Sequence, residues 1–219
     1  MKKFHIFVEG TADRKFLHDY IEGAFNISLS ADKNSEGGIK KLDTITTTGG
    51  WKVLDSNGGD TFRKKMEENT QQEVANLIIF DADSAKNAGG FLVRKNEIEA
   101  WKNKYALRFE LFLFPNNKDD GSLEDLLEMI INPQNSSVFE CWEKFENCLP
   151  AKTACTKNPL TIPAKKSKIY AYMEVLHGES NSEKDKIKDP NRDFKNPQHW
   201  DLTAKAIEPL RKFLQNYMM

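Results

Sequence analysis

The stretches FHIFVEG at residues 4–10 and LIIFDAD at residues 77–83 each join a short apolar run to acidic residues. Each run has the length of a buried strand, and helix-like segments lie between the two. Ligands of an open parallel sheet bind at the carboxyl ends of its strands, so we expect Glu9, Asp81 and Asp83 to share one edge. Three carboxylates held together repel one another unless a cation neutralises them. Their hard oxygen atoms suit Mg²⁺ or Mn²⁺ and indicate phosphate chemistry.

The alternation of strand-like and helix-like segments predicts an α/β fold with a mostly parallel four-stranded sheet flanked by helices. The strands are predicted at residues 3–9, 43–48, 75–81 and 109–114. The helices between and after them are predicted at about 12–26, 60–72, 91–103 and 122–131. Thr11 is expected to cap the first helix, and Ser122 with Asp125 the fourth.

The pattern changes after Pro133, where we predict helices and no further strand. These helices are predicted at about 139–149, 166–176 and 200–217. Residues 179–198 are charged and contain two prolines, which favours an exposed loop. We therefore expect an α/β core at residues 1–132 and a helical extension at residues 133–219 that packs on the core.

Charge and composition exclude several classes of protein. With 32 basic and 33 acidic side chains, the chain has no global field that attracts nucleic acid, so such a contact needs a local patch. No segment approaches the roughly 20 apolar residues of a membrane span, and Glu9 interrupts the first apolar run too early for a signal peptide. Cys141, Cys148 and Cys155 match no zinc motif, which favours free thiols in the cytoplasm. The four histidines are scattered, and no spacing pairs them.

Taken together, the acidic motifs resemble the Toprim fold, which topoisomerases, bacterial primases and the OLD family of nucleases share. The family pattern places Glu-Gly at the end of the first strand and Asp-x-Asp at the end of a later strand. Glu9-Gly10 and Asp81-Ala82-Asp83 match it. The sequence from Val8 to Asp13 is most similar to the OLD-type branch, and the chain resembles the small stand-alone Toprim-like proteins of unknown function.

The resemblance to the OLD-type branch extends to further site residues. That branch often has an Asp four residues after the Glu, which Asp13 matches, and an acidic element after the next strand, which Glu124 matches. A lysine in the helical C-terminal part completes its site. Lys166 and Lys168 both match that position.

The resemblance implies a magnesium-dependent nuclease, with DNA as the default substrate and a role in phage defence or DNA repair. One ion would bind Glu9, Asp81 and Asp83. A second ion would use Asp13 and Glu124, so that two metals activate a water and stabilise the leaving oxygen. Glu9 alternatively moves a proton. The catalytic lysine, Lys166 or Lys168, would neutralise charge on the phosphoryl oxygens.

Every candidate site residue also has an explanation without chemistry. Asp81 and Asp83 suit a turn, because Asp hydrogen-bonds its own backbone. Asp13 and Glu124 lie in the first turns of predicted helices, where acidic side chains stabilise the macrodipole. The lysines suit a solvated helix start.

The sequence leaves one main alternative to a nuclease, and we rank a receiver-like phosphotransferase last. A nearly neutral chain needs a local basic groove for nucleic acid, and the basic residues available to line it are Lys40, Lys41, Arg63, Lys64, Lys65, Lys165, Lys166 and Lys168. No Gly-Lys-Ser/Thr phosphate loop is present in the sequence. The main alternative is therefore a nucleic-acid-binding subunit that is inactive alone and depends on a partner such as an ATPase. A receiver-like phosphotransferase needs a phosphorylatable Asp on the next strand, but that strand ends in Phe114-Pro115.

Overall fold

The computed structural model describes residues 3–29, 44–153, 158–177 and 180–218, and it confirms the α/β fold class. The four strands form one Rossmann-like sheet, and all three strand pairings are parallel. The strands are β1 (Phe4–Val8), β2 (Ile45–Thr47), β3 (Ala75–Asp81) and β4 (Glu110–Phe114), in the order β2-β1-β3-β4.

Helices follow each strand. In chain order they are α1 (Thr11–Phe25), α2 (Trp51–Leu54), α3 (Asp60–Gln71), α4 (Phe91–Lys104), α5 (Leu123–Met129), α6 (Ser136–Cys148), α7 (Lys165–Leu176), α8 (Asn181–Ile187) and α9 (Glu208–Met218).

The sheet separates two apolar clusters, because successive side chains of a strand point to opposite faces. Phe4, Ile6 and Val8 of β1 pack with α1, α5, α7 and α9 on one face. Phe7 packs with α2, α3 and α4 on the other face. A sheet covered on both faces explains why its strands are almost continuously apolar.

The C-terminal residues belong to the first of these clusters. Trp200, Ile207 and Leu210 are buried together with Phe4 and Ile6 of β1. Apolar side chains from both sides of residue 132 therefore share one core, and the division into two domains at that point stays a prediction.

Several predicted boundaries shift in the structure. Helix α2 was not predicted, and the last helix begins at Glu208 rather than near residue 200. The predicted cap at Thr11 is wrong: Gly10 is the N-cap of α1, and its main-chain N–H donates to Asp13 Oδ2 over 2.7 Å. The predicted cap of α5 is confirmed, because Asp125 Oδ2 accepts from the Ser122 N–H over 2.8 Å.

The prediction of an exposed loop at residues 179–198 is wrong. This stretch contains α8, and Ile187, Arg192 and Phe194 are buried. The Phe194 ring lies 5.3 Å from the Phe16 ring of α1. Only a few widely spaced residues bury the segment against the core. Its composition is charged on average, so the sequence did not indicate this packing.

Two findings, on membrane spans and on cysteines, concern the described part of the chain. None of its helices has the length and apolar character needed to cross a bilayer. Cys141 and Cys148 are free, exposed thiols, whereas Cys155 lies outside the described residues.

Candidate functional site

Four acidic residues lie at one edge of the sheet, at the ends of two strands and in the first turns of two helices. Glu9 directly follows β1 and Asp81 ends β3, and these strands are neighbours with Val8 opposite Ile79. Asp13 lies in the first turn of α1, one turn beyond Glu9. Glu124 lies in the first turn of α5, which follows β4. The predicted gathering of carboxylates at the carboxyl ends of the strands is therefore present for these four.

Glu9 is held in a water-poor position. Its Oε1 atom is buried and has no hydrogen-bond partner among the described residues. Burial raises the pKa of Glu9 to about 7, and the charges of Asp13 and Asp83 add to the rise. A hydrogen bond from the Asp81 main chain and the charge of Arg94 offset part of it. Near neutral pH, the protonated and ionised forms of Glu9 are therefore both populated.

Asp13 is 8% exposed, although it lies at a helix start. Burial raises the pKa of Asp13 to about 7. The hydrogen bond from the Gly10 N–H opposes the rise, Glu124 adds to it, and Lys166 lowers it. Asp13 thus caps α1 and also belongs to the acidic cluster. The two explanations considered for Asp13 do not exclude each other.

Asp81 joins the sheet to α5. Its Oδ1 atom accepts a hydrogen bond from the Leu123 N–H over 2.8 Å. Burial raises the pKa of Asp81 well above its usual range, and the charges of Asp13, Glu9 and Glu124 raise it further. These mutual effects place all four carboxylates within electrostatic reach of one another.

Asp83 has a different environment. Its backbone is left-handed, with φ of 60°, and forms a bridge with Gly121 through two 2.8 Å hydrogen bonds. Its Oδ2 atom accepts from Arg94 Nη2 over 2.8 Å. Arg94 also donates to Glu97 over 2.7 Å. Asp83 is therefore already paired with a cation.

Arg94 is a site residue that the sequence reasoning missed. It is 6% exposed, and its Nε atom is buried without a hydrogen-bond partner among the described residues. A signal was available, because Arg94, Ile98 and Trp101 recur at the i, i+4, i+7 spacing of one helix face. A charged residue on an apolar stripe is buried with a partner more often than not.

The two candidate lysines have different surroundings. Lys168 Nζ donates to Glu128 over 2.9 Å and lies 4.5 Å from the centre of the Phe139 ring. Lys166 Nζ donates to Asp189 over 2.6 Å. The charge of Lys166, not that of Lys168, is among the leading influences on the pKa of Asp13.

The predicted basic groove is divided between elements. Lys165 pairs with Asp125 of α5 and so lies beside the acidic edge. Lys64 and Lys65 are exposed on α3, which packs on the opposite face of the sheet from α7. Lys40 and Lys41 lie outside the described residues.

Other polar residues have structural partners. Asp120 accepts from the Phe91 N–H over 2.7 Å, at the start of α4. The rings of His177 and His199 lie 4.9 Å apart, although no sequence spacing pairs them. The tertiary fold alone brings these two histidines together.

The donor set of the acidic edge fits a hard divalent cation. Glu9 Oε1 is an unpartnered buried oxygen, and burial raises the pKa values of Glu9 and Asp13, so their charged forms are disfavoured until a cation neutralises them. Within the described residues, however, no three His, Cys, Asp or Glu side chains form a ready-made metal cage. Mg²⁺ keeps several waters and commonly uses one or two carboxylates, so it does not require such a cage.

Comparison with known proteins gives a family and no activity. No curated protein and no solved structure is significantly similar to the chain. A family described as "Protein of unknown function (DUF3226)" matches residues 3–218, nearly the whole sequence. The chain therefore belongs to the DUF3226 family.

Proposed function

We propose that this protein is a metal-dependent nuclease of the Toprim type, similar to the OLD branch, that hydrolyses phosphodiester bonds of nucleic acid. The observation that carries the proposal is the convergence of Glu9, Asp13, Asp81 and Glu124 at one edge of a parallel sheet. Burial, with a smaller effect of the neighbouring carboxylates, raises the pKa of Glu9, Asp13 and Asp81, and a bound cation would offset this unfavourable environment.

Mg²⁺ or Mn²⁺ is the proposed cofactor, and Glu9, Asp13, Asp81 and Glu124 would hold it. When bound, the metal would act as a Lewis acid toward phosphate oxygens and lower the pKa of a bound water. Asp83 contributes charge to the site while Arg94 holds its carboxylate. In the alternative in which Glu9 moves a proton rather than holding the metal, its pKa of about 7 in the metal-free protein suits it to accept or release that proton at neutral pH.

Lys166 is the better candidate for the cationic group. Its side chain is 52% exposed and can meet a substrate, and its charge reaches Asp13. The side chain of Lys168 is 9% exposed, and its ammonium is paired with Glu128 and lies over Phe139. We therefore assign neutralisation of phosphoryl oxygens to Lys166 and a packing role to Lys168.

DNA in the cytoplasm is the proposed substrate and place of action, by analogy with the Toprim family. The nearly neutral charge of the chain limits attraction of a polyanion to local patches. Lys165 and Lys166, each paired with an aspartate but more than half exposed, would form such a patch beside the acidic edge, whereas Lys64 and Lys65 on the opposite face of the sheet would contact nucleic acid only outside the site.

A cleavage assay tests the proposal. Supercoiled plasmid and short single- and double-stranded DNA and RNA are incubated with Mg²⁺, Mn²⁺ or EDTA. We expect metal-dependent cutting that Asp81→Asn reduces by at least a hundredfold, because Asn keeps the shape but not the charge. Asp119→Asn is the matched control, since Asp119 is exposed and its side chain contacts only Asn116 among the described residues.

Cutting by a folded Asp81→Asn variant at the rate of the wild type would overturn the site assignment. Cutting in EDTA at the rate seen with Mg²⁺ would overturn the role of the metal.

The second candidate is a nucleic-acid-binding subunit that works only with a partner such as an ATPase. Two observations favour it: no three-ligand cage is present in the described residues, and Asp83 is already paired with Arg94. A partner or substrate would then complete the site. Metal-dependent DNA binding without cleavage, measured by gel shift, supports this candidate over the first.

A further inference from the structure

Asp189 is contacted by three polar groups, two from α7 and one from Arg192, three residues further along the chain. Lys166 Nζ lies 2.6 Å from Oδ2, the Tyr170 hydroxyl 3.0 Å from Oδ1, and Arg192 Nη2 3.2 Å from Oδ1. Its side chain is only 14% exposed. Asp189 follows α8 in the stretch expected from sequence to be an exposed loop.

Arg192 fixes Asp189 from the interior. It is 2% exposed, and its Nη2 atom also donates to the Ile187 carbonyl over 3.0 Å. Its guanidinium lies 5.1 Å from the centre of the Tyr170 ring and 5.6 Å from that of Phe194. An arginine clamped between two rings loses little further freedom when it binds a carboxylate.

Tyr170 fixes the same carboxylate from α7. It lies one helical turn after Lys166, so the hydroxyl and the ammonium approach Asp189 from one helix face. The two oxygens of Asp189 are thereby divided: Oδ1 is held by Tyr170 and Arg192, and Oδ2 is left for Lys166.

Lys166 lies at the start of α7, which packs with α5, and the preceding residue, Lys165, pairs with Asp125 of α5. Its ammonium influences the charge of Asp13 and is itself influenced by Glu124. An unrestrained lysine has about 2 kcal/mol of rotamer entropy and would sample many positions, including direct pairing with Glu124. Because Asp189 is fixed and accepts a hydrogen bond from the Lys166 ammonium, it restricts the lysine to one position and keeps it from pairing with Glu124.

We propose that Asp189, held by Tyr170 and Arg192, is a positioning residue that keeps the Lys166 ammonium at the rim of the acidic site, ready for a substrate phosphate. This role rests on the proposed function, because a phosphate is the group that Lys166 meets there. Sequence reasoning left the choice between Lys166 and Lys168 open, and the Asp189 contacts select Lys166.

The same segment offers a contrasting ion pair. Asp185 and Lys188 are 2.7 Å apart, but their side chains are 56% and 65% exposed. Exposed pairs of this kind contribute little to stability or position. Asp185→Asn is therefore a matched control for Asp189→Asn: each removes one carboxylate charge paired with a lysine.

The primary measurement is the titration of the Lys166 side chain by NMR of lysine-labelled protein, with its signal assigned by Lys166→Arg. Burial alone lowers the pKa of Lys166, but the hydrogen bond and charge of Asp189, with smaller effects of Tyr170 and Glu124, raise it above its usual value. We expect Asp189→Asn to lower the midpoint and Tyr170→Phe to lower it less. Asp185→Asn should leave it unchanged.

An unchanged midpoint in folded Asp189→Asn protein would overturn the positioning role, whatever the activity of the enzyme. This readout does not require cleavage, so it separates failure of the positioning role from failure of the proposed function.

The second measurement is steady-state cleavage with a short DNA substrate. We expect Asp189→Asn to lower kcat on the order of tenfold with a smaller change in KM, because the fixed charge acts mainly in the transition state. Asp189→Glu, which restores the carboxylate, should recover part of that loss. Equal kcat in wild type and Asp189→Asn would overturn the role in catalysis.

Discussion

Arg94 Nη2 and Asp83 Oδ2 are joined by a 2.8 Å hydrogen bond between α4 and the turn that follows β3. The arginine side chain is 7% exposed and that of the aspartate 29%. The last carboxylate of the DAD motif is therefore neutralised by the protein itself, whereas Glu9 Oε1 has no partner among the described residues.

Removing this cation should destabilise the fold. We expect Arg94→Met to lower the free energy of unfolding by about 2 kcal/mol, less than for a fully buried pair because Asp83 is partly exposed. Urea denaturation followed by circular dichroism measures the change. Glu97→Gln, which removes the other and more exposed partner of Arg94, should change it by less than about 0.5 kcal/mol.

The acidic edge should make the metal-free protein less stable as pH rises. The folded pKa values of Glu9 and Asp13, about 7, lie above the ordinary values of 4.5 and 3.8. Through these two groups the folded state binds more protons than the unfolded state between about pH 4 and pH 7, so their contribution to stability falls across that window and levels off above it.

Urea denaturation in EDTA at intervals from pH 5 to pH 8 measures this slope. Glu9→Gln should remove up to on the order of 3 kcal/mol of the loss, whereas Glu67→Gln, an exposed control on α3, should keep the wild-type slope. Added Mg²⁺ should stabilise the wild type most at pH 8. A flat profile in EDTA would contradict the shared environment of the carboxylates.

Substitutions of Lys166 and Lys168 should have different effects on activity and on stability. We expect Lys166→Ala to reduce cleavage on the order of a hundredfold with little change in unfolding, because its side chain is half exposed. Lys168→Ala should cost about 1–2 kcal/mol of stability, since it removes a cation over Phe139 and the partner of Glu128. The opposite pattern would assign the catalytic role to Lys168.

Gly50 should be intolerant of a side chain. Its φ is +96°, and a Cβ atom there would lie 3.1 Å from Glu9 Oε2. We expect Gly50→Ala to destabilise the protein by about 1–2 kcal/mol and to weaken stabilisation by Mg²⁺, because Glu9 must shift. Thermal unfolding with and without Mg²⁺ tests both effects.

Gly58→Ala is the matched control, since a Cβ atom there meets nothing closer than 3.4 Å. Equal responses of the two alanine variants to Mg²⁺ would show that Gly50 does not shape the site.

Local pattern determined the sheet and its acidic edge. The apolar runs at Phe4–Val8 and Ala75–Asp81 are long enough, and sufficiently bounded by Gly and Asp, to be identified as strands without tertiary information. Parallel strands share one carboxyl edge, so Glu9 and Asp81 were placed together by topology alone.

Only the tertiary structure decided which charges meet. Arg94, Asp189 and Arg192 are polar residues with no motif of their own, and each acquires its role from a partner distant along the chain or buried against rings. The stretch 179–198 has the composition of a loop, yet Phe194 is buried in the core. Composition reports the average of a segment, whereas burial depends on single residues that contact a core formed elsewhere in the chain. For this physical reason the sequence identified the acidic residues of the site but not the cations beside them.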